Sequence, residues 1–140
     1  MRRVSVTVAV LASGVAMLAF AGSANAFTFE QFHTPSGNIN CGMGGGFVRC
    51  DTTEHTWPIP PKPATCEFDW GGSVGVGRQD PAEFLCVSDA VGGPDSQVLD
   101  YGERISLHRF RCVSKTKGVR CVNRKSGHGF FVSREDVRLF

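Results

Sequence analysis

The sequence predicts an all-β fold: a small disulfide-stapled sandwich or partly open barrel built around two related Cys-x8-Cys hairpins. No segment keeps apolar residues at the 3.6-residue period of a helix over three turns, so strands are expected to dominate. All six cysteines lie within residues 41–121, and an even number of cysteines in a chain of 140 residues predicts a disulfide framework. At most one or two single-turn helices are expected, at residues 80–83 and 133–136.

The N-terminus has the three zones of a cleavable signal peptide. Two arginines give it a positive start, residues 4–21 form an apolar run, and residues 24–26 read Ala-Asn-Ala, the pattern that signal peptidase recognises. Cleavage before Phe27 removes residues 1–26 and leaves residues 27–140 as a single mature β domain with no transmembrane segment. The protein is therefore expected to be secreted or associated with the cell envelope.

Charge is distributed unevenly along the chain. The formal net charge is +2, but Arg2 and Arg3 belong to the predicted signal peptide, so residues 27–140 are neutral. Residues 27–103 carry eleven acidic side chains against three basic ones, a net charge of −8. Residues 104–140 carry ten basic side chains against two acidic ones, a net charge of +8. This polarity indicates either a basic surface for an anionic partner or two halves that interleave in the fold and neutralise each other.

Four of the cysteines belong to an internal repeat. Segments 41–50 and 112–121 have the same Cys-x8-Cys spacing, and both end in Val-Arg-Cys. Each segment therefore predicts a β-hairpin in which two cysteines face each other at a non-hydrogen-bonded pair, within disulfide range. The predicted disulfides are Cys41–Cys50, Cys112–Cys121 and, by elimination, Cys66–Cys86.

The turns of the two hairpins are expected to differ. In the first, Gly45 and Gly46 predict a two-residue turn, because glycine supplies the positive φ of type I′ and II′ turns. In the second, residues 114–118 predict a longer loop that ends in a left-handed Gly118.

The remaining elements follow in chain order. A strand is expected at residues 27–29, with Phe32 as a further core residue. The proline-rich residues 57–63 have polyproline-II composition and predict a stiff connector pinned to the core by Trp57. Val74 and Val76 alternate with glycines, which predicts a strand that another backbone approaches closely. Further strands are expected at residues 74–76, 84–87, 98–99, 104–113 and 130–132, with a single turn before residues 139–140.

Alternation in the second hairpin predicts a basic face. If Phe110, Cys112, Val119 and Cys121 point into the core, the side chains with the opposite parity share the other surface. Because residues 105 and 107 are apolar but have the parity of the arginines, the strand is expected to bulge near His108 or to be covered on both faces. The candidate binding face consists of Arg109, Arg111, Arg120 and Arg124.

Several sequence blocks spread over residues 27–140 share the pattern of a known family. They are Thr34-Pro35-Ser36-Gly37-Asn38-Ile39 before Cys41, Val48-Arg49-Cys50-Asp51, Pro60-Pro61-Lys62-Pro63-Ala64 with Cys66, Asp69-Trp70-Gly71, Cys86-Val87-Ser88-Asp89, Leu99 with Tyr101-Gly102, Gly127-His128-Gly129-Phe130 and Ser133-Arg134. With these blocks the chain resembles an uncharacterised family of small actinobacterial exported proteins. The resemblance covers nearly all of residues 27–140 and implies export and disulfides, but no activity. Asp100 departs from the family pattern, in which proline is expected before the Tyr-Gly pair.

Catalytic and metal chemistry has weak support in the sequence. No Cys-x2-Cys pair is present and the four histidines are scattered, so no metal and no cofactor is expected. A hydrolytic triad would combine His128 with a serine and an aspartate, and a glycosidase would use two aspartates beside Trp70. The triad candidates are Ser36 or Ser133 as the serine and Asp69 or Asp89 as the aspartate, and the glycosidase pair would be Asp69 and Asp89.

An inhibitor of a secreted hydrolase would present residues 33–38 or 57–63 as an exposed rigid loop.

The sequence thus favours a non-enzymatic binding or envelope-associated module that uses its basic face. The expected partner is an anionic envelope polymer or another exported protein. Nucleic acid is not expected, because the basic strip lacks interleaved aromatic residues beyond Phe110. The mature domain is expected to be a monomer. A small secreted hydrolase using His128 and an inhibitor of such an enzyme remain the alternatives.

Overall fold

A computed structural model describes residues 27–140, so the predicted signal peptide lies outside the described residues. Within that range the chain forms eleven strands and no helix. Residues 80–82 and 133–136 are bends and irregular backbone instead of the expected helical turns, and Glu83 already belongs to a strand. Residues 27–140 therefore include no helix that could span a membrane. The strands are β1 Glu30–His33, β2 Ile39–Met43, β3 Phe47–Thr52, β4 Ser73–Gly77, β5 Glu83–Phe84, β6 Gln97–Val98, β7 Arg104–Leu107, β8 Phe110–Lys115, β9 Gly118–Asn123, β10 Gly129–Val132 and β11 Val137–Leu139.

The strands form two sheets, one from each half of the chain. Sheet I has the order β5-β4-β3-β2-β1-β6, and sheet II has the order β11-β10-β9-β8-β7. All neighbouring strands are antiparallel except β1 and β6, which are parallel. The halves therefore do not interleave: the acidic half of the chain builds sheet I and the basic half builds sheet II.

The internal repeat extends beyond the hairpins to two complete five-stranded meanders. In sheet I, strands β1 to β5 place Phe32, Cys41, Cys50, Val74 and Phe84 in one row across the strands. In sheet II, strands β7 to β11 form the equivalent row. Its residues are Ile105, Cys112, Cys121, Phe130 and Leu139.

The two sheets enclose one core, which makes the fold a sandwich. Strand β4 of sheet I contacts β9 and β10 of sheet II. The hairpin disulfides meet at the centre, where Cys50 Sγ lies 3.9 Å from Cys121 Sγ. Phe32, Phe110 and Phe130 are fully buried around them. Alternate residues of the central strands point into this core, as the period-2 pattern requires.

The three predicted disulfides are confirmed. Cys41 pairs with Cys50 and Cys112 with Cys121, each across directly opposed strand positions with Cα atoms 4.1 Å apart. Cys66–Cys86 joins two connections near the surface. Residues 27–140 contain no free cysteine, and three disulfides indicate an oxidising environment.

Both hairpin turns differ from expectation. Gly45 and Gly46 do form a two-residue turn, closed by the Gly44 N–H donating to the Phe47 carbonyl at 2.9 Å, but neither glycine has positive φ. In the second hairpin β8 and β9 continue to the Lys115–Gly118 pair, so the turn has two residues and not five. Gly118, with φ of +144°, is required there because a Cβ would collide with the Val132 carbonyl oxygen.

Three strand boundaries also needed correction. The first strand starts at Glu30, and residues 27–29 are irregular. The extended segment expected at residues 104–113 is two strands joined by a turn at His108 and Arg109, where His108 has φ of +52°. Residues 84–87 contribute only Phe84 to a strand, with Val87 in an isolated bridge to Asp69.

The proline-rich connector is placed as predicted. Trp57 is buried in the core cluster, and its indole N–H donates to the Gly71 carbonyl at 3.2 Å. His55 stacks on its ring with centroids 4.2 Å apart. The connector is therefore fixed to the body of the domain.

Candidate binding surface

The surface of sheet II that points away from the core is basic and partly apolar. Strand pairing places one row of side chains across all five strands of this outer face, alternating between charged and apolar. This first row consists of Arg104, Val113, Arg120, Phe131 and Arg138. A second row on the same face contains Arg111 and ends at Phe140, which pairs with Gly129 of β10. Lys115 lies at the end of β8.

Most cations of the outer face have no acidic partner. Arg138 pairs with Asp136, the Nε–Oδ2 distance being 3.0 Å. Within residues 27–140 neither Arg104, Arg111, Lys115 nor Arg120 forms an ion pair. These four positive charges are therefore open to an anionic ligand.

Two phenylalanine rings lie among these cations. The Arg120 guanidinium carbon is 4.7 Å from the centroid of the Phe140 ring, and that of Arg138 is 4.5 Å from the centroid of Phe131. Cation–π contacts of this kind hold guanidinium groups in place without consuming their N–H donors. The outer face thus has the interleaved aromatic residues that the sequence did not reveal.

Arg111 has an unusual environment. Its Nε atom is buried and has no hydrogen-bond partner among the described residues, although the residue as a whole is partly exposed. The Nε atom itself is therefore out of reach of a ligand. The part of Arg111 that is exposed belongs to the outer face and has no acidic partner among residues 27–140.

The structure divides the four arginines that the sequence singled out. Arg111 and Arg120 lie on the outer face, as alternation predicts. Arg109 lies in the β7–β8 turn and Arg124 follows β9. These two are joined by the Arg124 N–H donating to the Arg109 carbonyl at 2.8 Å. The turn at His108 and Arg109 also explains the parity of residues 105 and 107, since the chain reverses there.

Sequence reasoning missed two arginines of the outer face. Arg104 and Arg138 reach the row of Arg120 through strand pairings between β7 and β8 and between β10 and β11. Once the turn at residues 108–109 is known, alternation along β7 places Arg104 on the outer face, because Ile105 and Leu107 point to the core. Arg138 had no local signal, because its position depends on the pairing of Phe131 with Arg138.

The outer face of sheet I is covered by its own chain. Gly42 and Gly75 flank Arg49 on the neighbouring strands. A Cβ at Gly42 would lie 2.7 Å from Phe29 Cζ, and one at Gly75 would lie 2.7 Å from Leu85 Cδ1. These glycines let the covering segments descend onto the sheet.

Arg49 is buried beneath this cover and fully paired. Its Nε and Nη2 donate to the two carboxylate oxygens of Asp51 at 2.8 and 2.9 Å, and its Nη1 donates to Asp89 Oδ1 at 2.9 Å. Burial lowers the pKa of Arg49, but hydrogen bonds and attraction to the two carboxylates more than reverse this, so the pKa is raised. The hydrogen bond and charge of Arg49 lower the pKa of Asp89 below its ordinary value of 3.8.

A polar cleft opens at one end of the sandwich, between the β1–β2 loop, the β8–β9 turn and the segment after β10. Its volume is about 440 Å³. Lys115, Lys117 and Arg134 line it together with several hydroxyl groups, and Arg134 pairs with Glu54 at 3.2 Å. Lys115 belongs both to the cleft and to the outer face of sheet II, so the basic surface continues around the edge of the sheet.

Residues 9–140 match the profile of a family described as Family of unknown function (DUF6636). The chain belongs to this family. No curated protein and no solved structure matches the chain.

This DUF6636 domain does not bring the suggested hydrolytic residues together. Within residues 27–140 the His128 ring has no hydrogen bond to a serine or a carboxylate, and its backbone is held in a turn by Ser126 Oγ and the Asn123 N–H. Asp89 is engaged by Arg49, and Trp70 donates to the Pro60 carbonyl at 2.9 Å. No group of three or more metal-ligating side chains occurs in the described part of the chain.

The loop proposed for an inhibitor is well anchored. The Thr34 N–H donates to the Ile39 carbonyl at 3.0 Å, and Asn38 exchanges two hydrogen bonds with the backbone of Glu54. Residues 34 and 36–39 of this loop line the polar cleft.

Proposed function

We propose that the mature domain is an exported binding module that recognises an anionic envelope polymer through the outer face of sheet II. The observation that carries this proposal is the set of four cations on that face without an acidic partner. Arginine is suited to this role because its planar fork pairs bidentately with carboxylate and phosphate groups.

The contrast between the two sheets supports the choice of surface. On sheet I, the central arginine is covered by chain and neutralised by Asp51 and Asp89. On sheet II, Phe140 packs over Gly129, but Arg120 is exposed and has no carboxylate partner among residues 27–140. The acidic half lies in the other sheet, and Arg134–Glu54 is the one ion pair within residues 27–140 that joins the two halves.

Export is part of the proposal. The Ala-Asn-Ala pattern at residues 24–26 and the three disulfides both favour a chain that matures outside the cytoplasm. N-terminal sequencing of protein recovered from culture fluid and from the cell-wall fraction is expected to start at Phe27.

Binding of the mature domain to purified anionic wall fractions tests the proposed surface. The double variant Arg111→Ser/Arg120→Ser is expected to lose most of the binding, since charged hydrogen bonds contribute about 1.5–3 kcal/mol each. Both side chains lie on the outer face, so the core disulfides and strand pairing are expected to remain intact.

A matched control comes from sheet I and its connector. Lys62→Ser/Arg78→Ser removes the same two positive charges from exposed positions away from the outer face and is expected to leave binding nearly unchanged. Equal losses in the two double variants would show that net charge alone drives association, and undiminished binding by the arginine variant would exclude this surface.

A further inference from the structure

The internal repeat makes Arg49 and Arg120 equivalent residues. Each precedes the second cysteine of its hairpin disulfide, and each points to the outer face of its own sheet. Their neighbours across the strands correspond as well: Arg49 lies between Gly42 and Gly75, and Arg120 lies between Val113 and Phe131. Sheet I therefore shows what this framework can bind at the arginine position.

In sheet I the bound group is a carboxylate. Asp51, two residues after Arg49, accepts from Nε and Nη2 in a bidentate pair, and Asp89 occupies Nη1. In sheet II the position equivalent to Asp51 is Val122, which has no charge. The chain thus fills the first arginine site from within and leaves the second one without an internal carboxylate.

We infer that the Arg120 site binds carboxylates of a uronate-bearing polysaccharide. This inference rests on the proposed function and names the chemistry of its ligand. A carboxylate from outside would take the place that Asp51 has at Arg49, with its two oxygens on the guanidinium fork.

The apolar members of the same row favour sugar rings as carriers of the carboxylates. Phe131 separates Arg120 from Arg138, and Val113 separates Arg104 from Arg120. Arginines on alternate strands are about 10 Å apart, because neighbouring strands are spaced by about 4.8 Å. A chain of pyranose rings has an apolar C–H face as well as charged groups, so it covers both kinds of side chain, whereas a polyphosphate offers charge only.

Four anionic probes at equal charge concentration test this inference on the mature, disulfide-bonded domain. They are polygalacturonate, poly-L-glutamate, polyphosphate and a single-stranded oligonucleotide. Polygalacturonate is expected to bind most tightly. Phe140→Ala removes the ring beside Arg120 and, with it, apolar surface that a sugar C–H face would cover, so it is expected to weaken polygalacturonate binding severalfold more than poly-L-glutamate binding.

Val122→Asp tests the equivalence of the two arginine sites directly. It supplies the internal carboxylate that Asp51 provides in sheet I and is expected to lower the affinity for polygalacturonate roughly tenfold, the cost of one charge-assisted pair. Two controls are expected to change the affinity much less. Val122→Asn has the shape of the aspartate variant without its charge, and Gln79→Asp adds the same charge at an exposed position in the first half of the chain.

The outcomes separate the inference from the proposed function. If polyphosphate or the oligonucleotide binds as tightly as polygalacturonate, the carboxylate inference is wrong and the anionic-polymer module stands. Tight binding of poly-L-glutamate without any effect of Phe140→Ala would contradict the sugar part. If none of the four probes binds, the proposed function fails with the inference. Equal effects of Val122→Asp and Gln79→Asp would overturn the equivalence of Arg49 and Arg120.

Discussion

Asp51 is the residue that holds the cover of sheet I in place. Its two carboxylate oxygens accept four hydrogen bonds: two from Arg49, one from the Ser73 hydroxyl at 2.7 Å and one from the Val91 N–H at 3.1 Å. The Arg49 guanidinium is charged and its side chain is buried, so its hydrogen bonds to Asp51 are strong and their loss leaves a buried charge less compensated.

Asp51→Asn is therefore expected to destabilise the domain by about 3 kcal/mol, the cost of removing one partner from a buried pair. Urea unfolding monitored by tryptophan fluorescence measures this, since Trp57 is buried in the core. Asp95→Asn removes the same charge from an exposed side chain and is expected to have almost no effect. Equal midpoints for the two variants would show that the network contributes little.

Asp89 gives the network a defined pH dependence. Arg49 lowers the folded-state pKa of Asp89 below 3.8, so its contribution to stability is fully present above the unfolded pKa, near 4, and is lost as pH falls through the lower folded value. The stability of Asp89→Asn is accordingly expected to fall less than that of the wild type between roughly pH 5 and pH 2, because the variant has no carboxylate to protonate at this position. Thermal unfolding at a series of pH values measures the difference, and parallel pH profiles would contradict it.

At the scale of the elements, the disulfides differ in what surrounds them. Cys112 and Cys121 are fully buried and touch the other hairpin disulfide, whereas Cys86 is exposed. Loop closure alone gives Cys66–Cys86, with a sequence separation of 20, the larger entropic effect of about 3 kcal/mol, against slightly less for a separation of 9. Burial reverses this order, because removing the buried sulfur atoms also leaves a cavity in the core.

Cys112→Ala/Cys121→Ala is therefore expected to destabilise the domain more than Cys66→Ala/Cys86→Ala, by roughly 1–2 kcal/mol or more as the cavity cost adds to the lost constraint. Chemical denaturation of the two double variants tests the order. Exposure also predicts that mild reduction without denaturant makes Cys66 and Cys86 available for alkylation first, which peptide mapping detects. Simultaneous alkylation of all six cysteines would argue against a protected core pair.

How far the sequence determines the elements depends on the range of the interactions. The two hairpins and their disulfides follow from local spacing, because cysteines in paired strands fix the register, and Cys66–Cys86 then follows by elimination. The turn at His108 and Arg109 has no glycine, so local composition gave only the parity conflict of residues 105 and 107 as a sign. The pairing of Arg49 with Asp89 spans 40 positions, and no local pattern predicts it.

The same distinction applies to the candidate site. Arg111 and Arg120 are predictable from alternation within one hairpin, whereas Arg138 and Phe140 join them only through the pairing of β10 with the C-terminal segment. The repeat itself has only its Val-Arg-Cys segments and spacing as sequence signals, although the strand register shows that it includes five strands in each sheet. Gly75 pairs with Arg49 and Phe131 pairs with the equivalent Arg120, but the two neighbours are different residue types. Their equivalence is therefore visible in the strand pairing and not in the sequence.

At the scale of the whole molecule, the chain separates its charges by sheet. Residues 27–103 have a net charge of −8 and build sheet I, and residues 104–140 have a net charge of +8 and build sheet II. A neutral domain of this kind presents opposite potentials on its two sides. An anionic polymer is attracted by one side and repelled by the other, so the charge layout orients the ligand as well as binding it.

This layout predicts a salt dependence that can be assigned to individual side chains. Binding of an anionic polymer releases about one counterion for each cation neutralised, so the logarithm of the affinity is expected to fall linearly with the logarithm of salt concentration. Arg104→Ser and Arg120→Ser are each expected to reduce the slope by about one, and Arg78→Ser, in the first half of the chain, is expected to leave it unchanged. Titrations at several salt concentrations with polygalacturonate measure the slopes. A wild-type slope near zero would show that binding does not use ionic contacts, and a reduction by Arg78→Ser equal to that of Arg120→Ser would place the ligand elsewhere on the molecule.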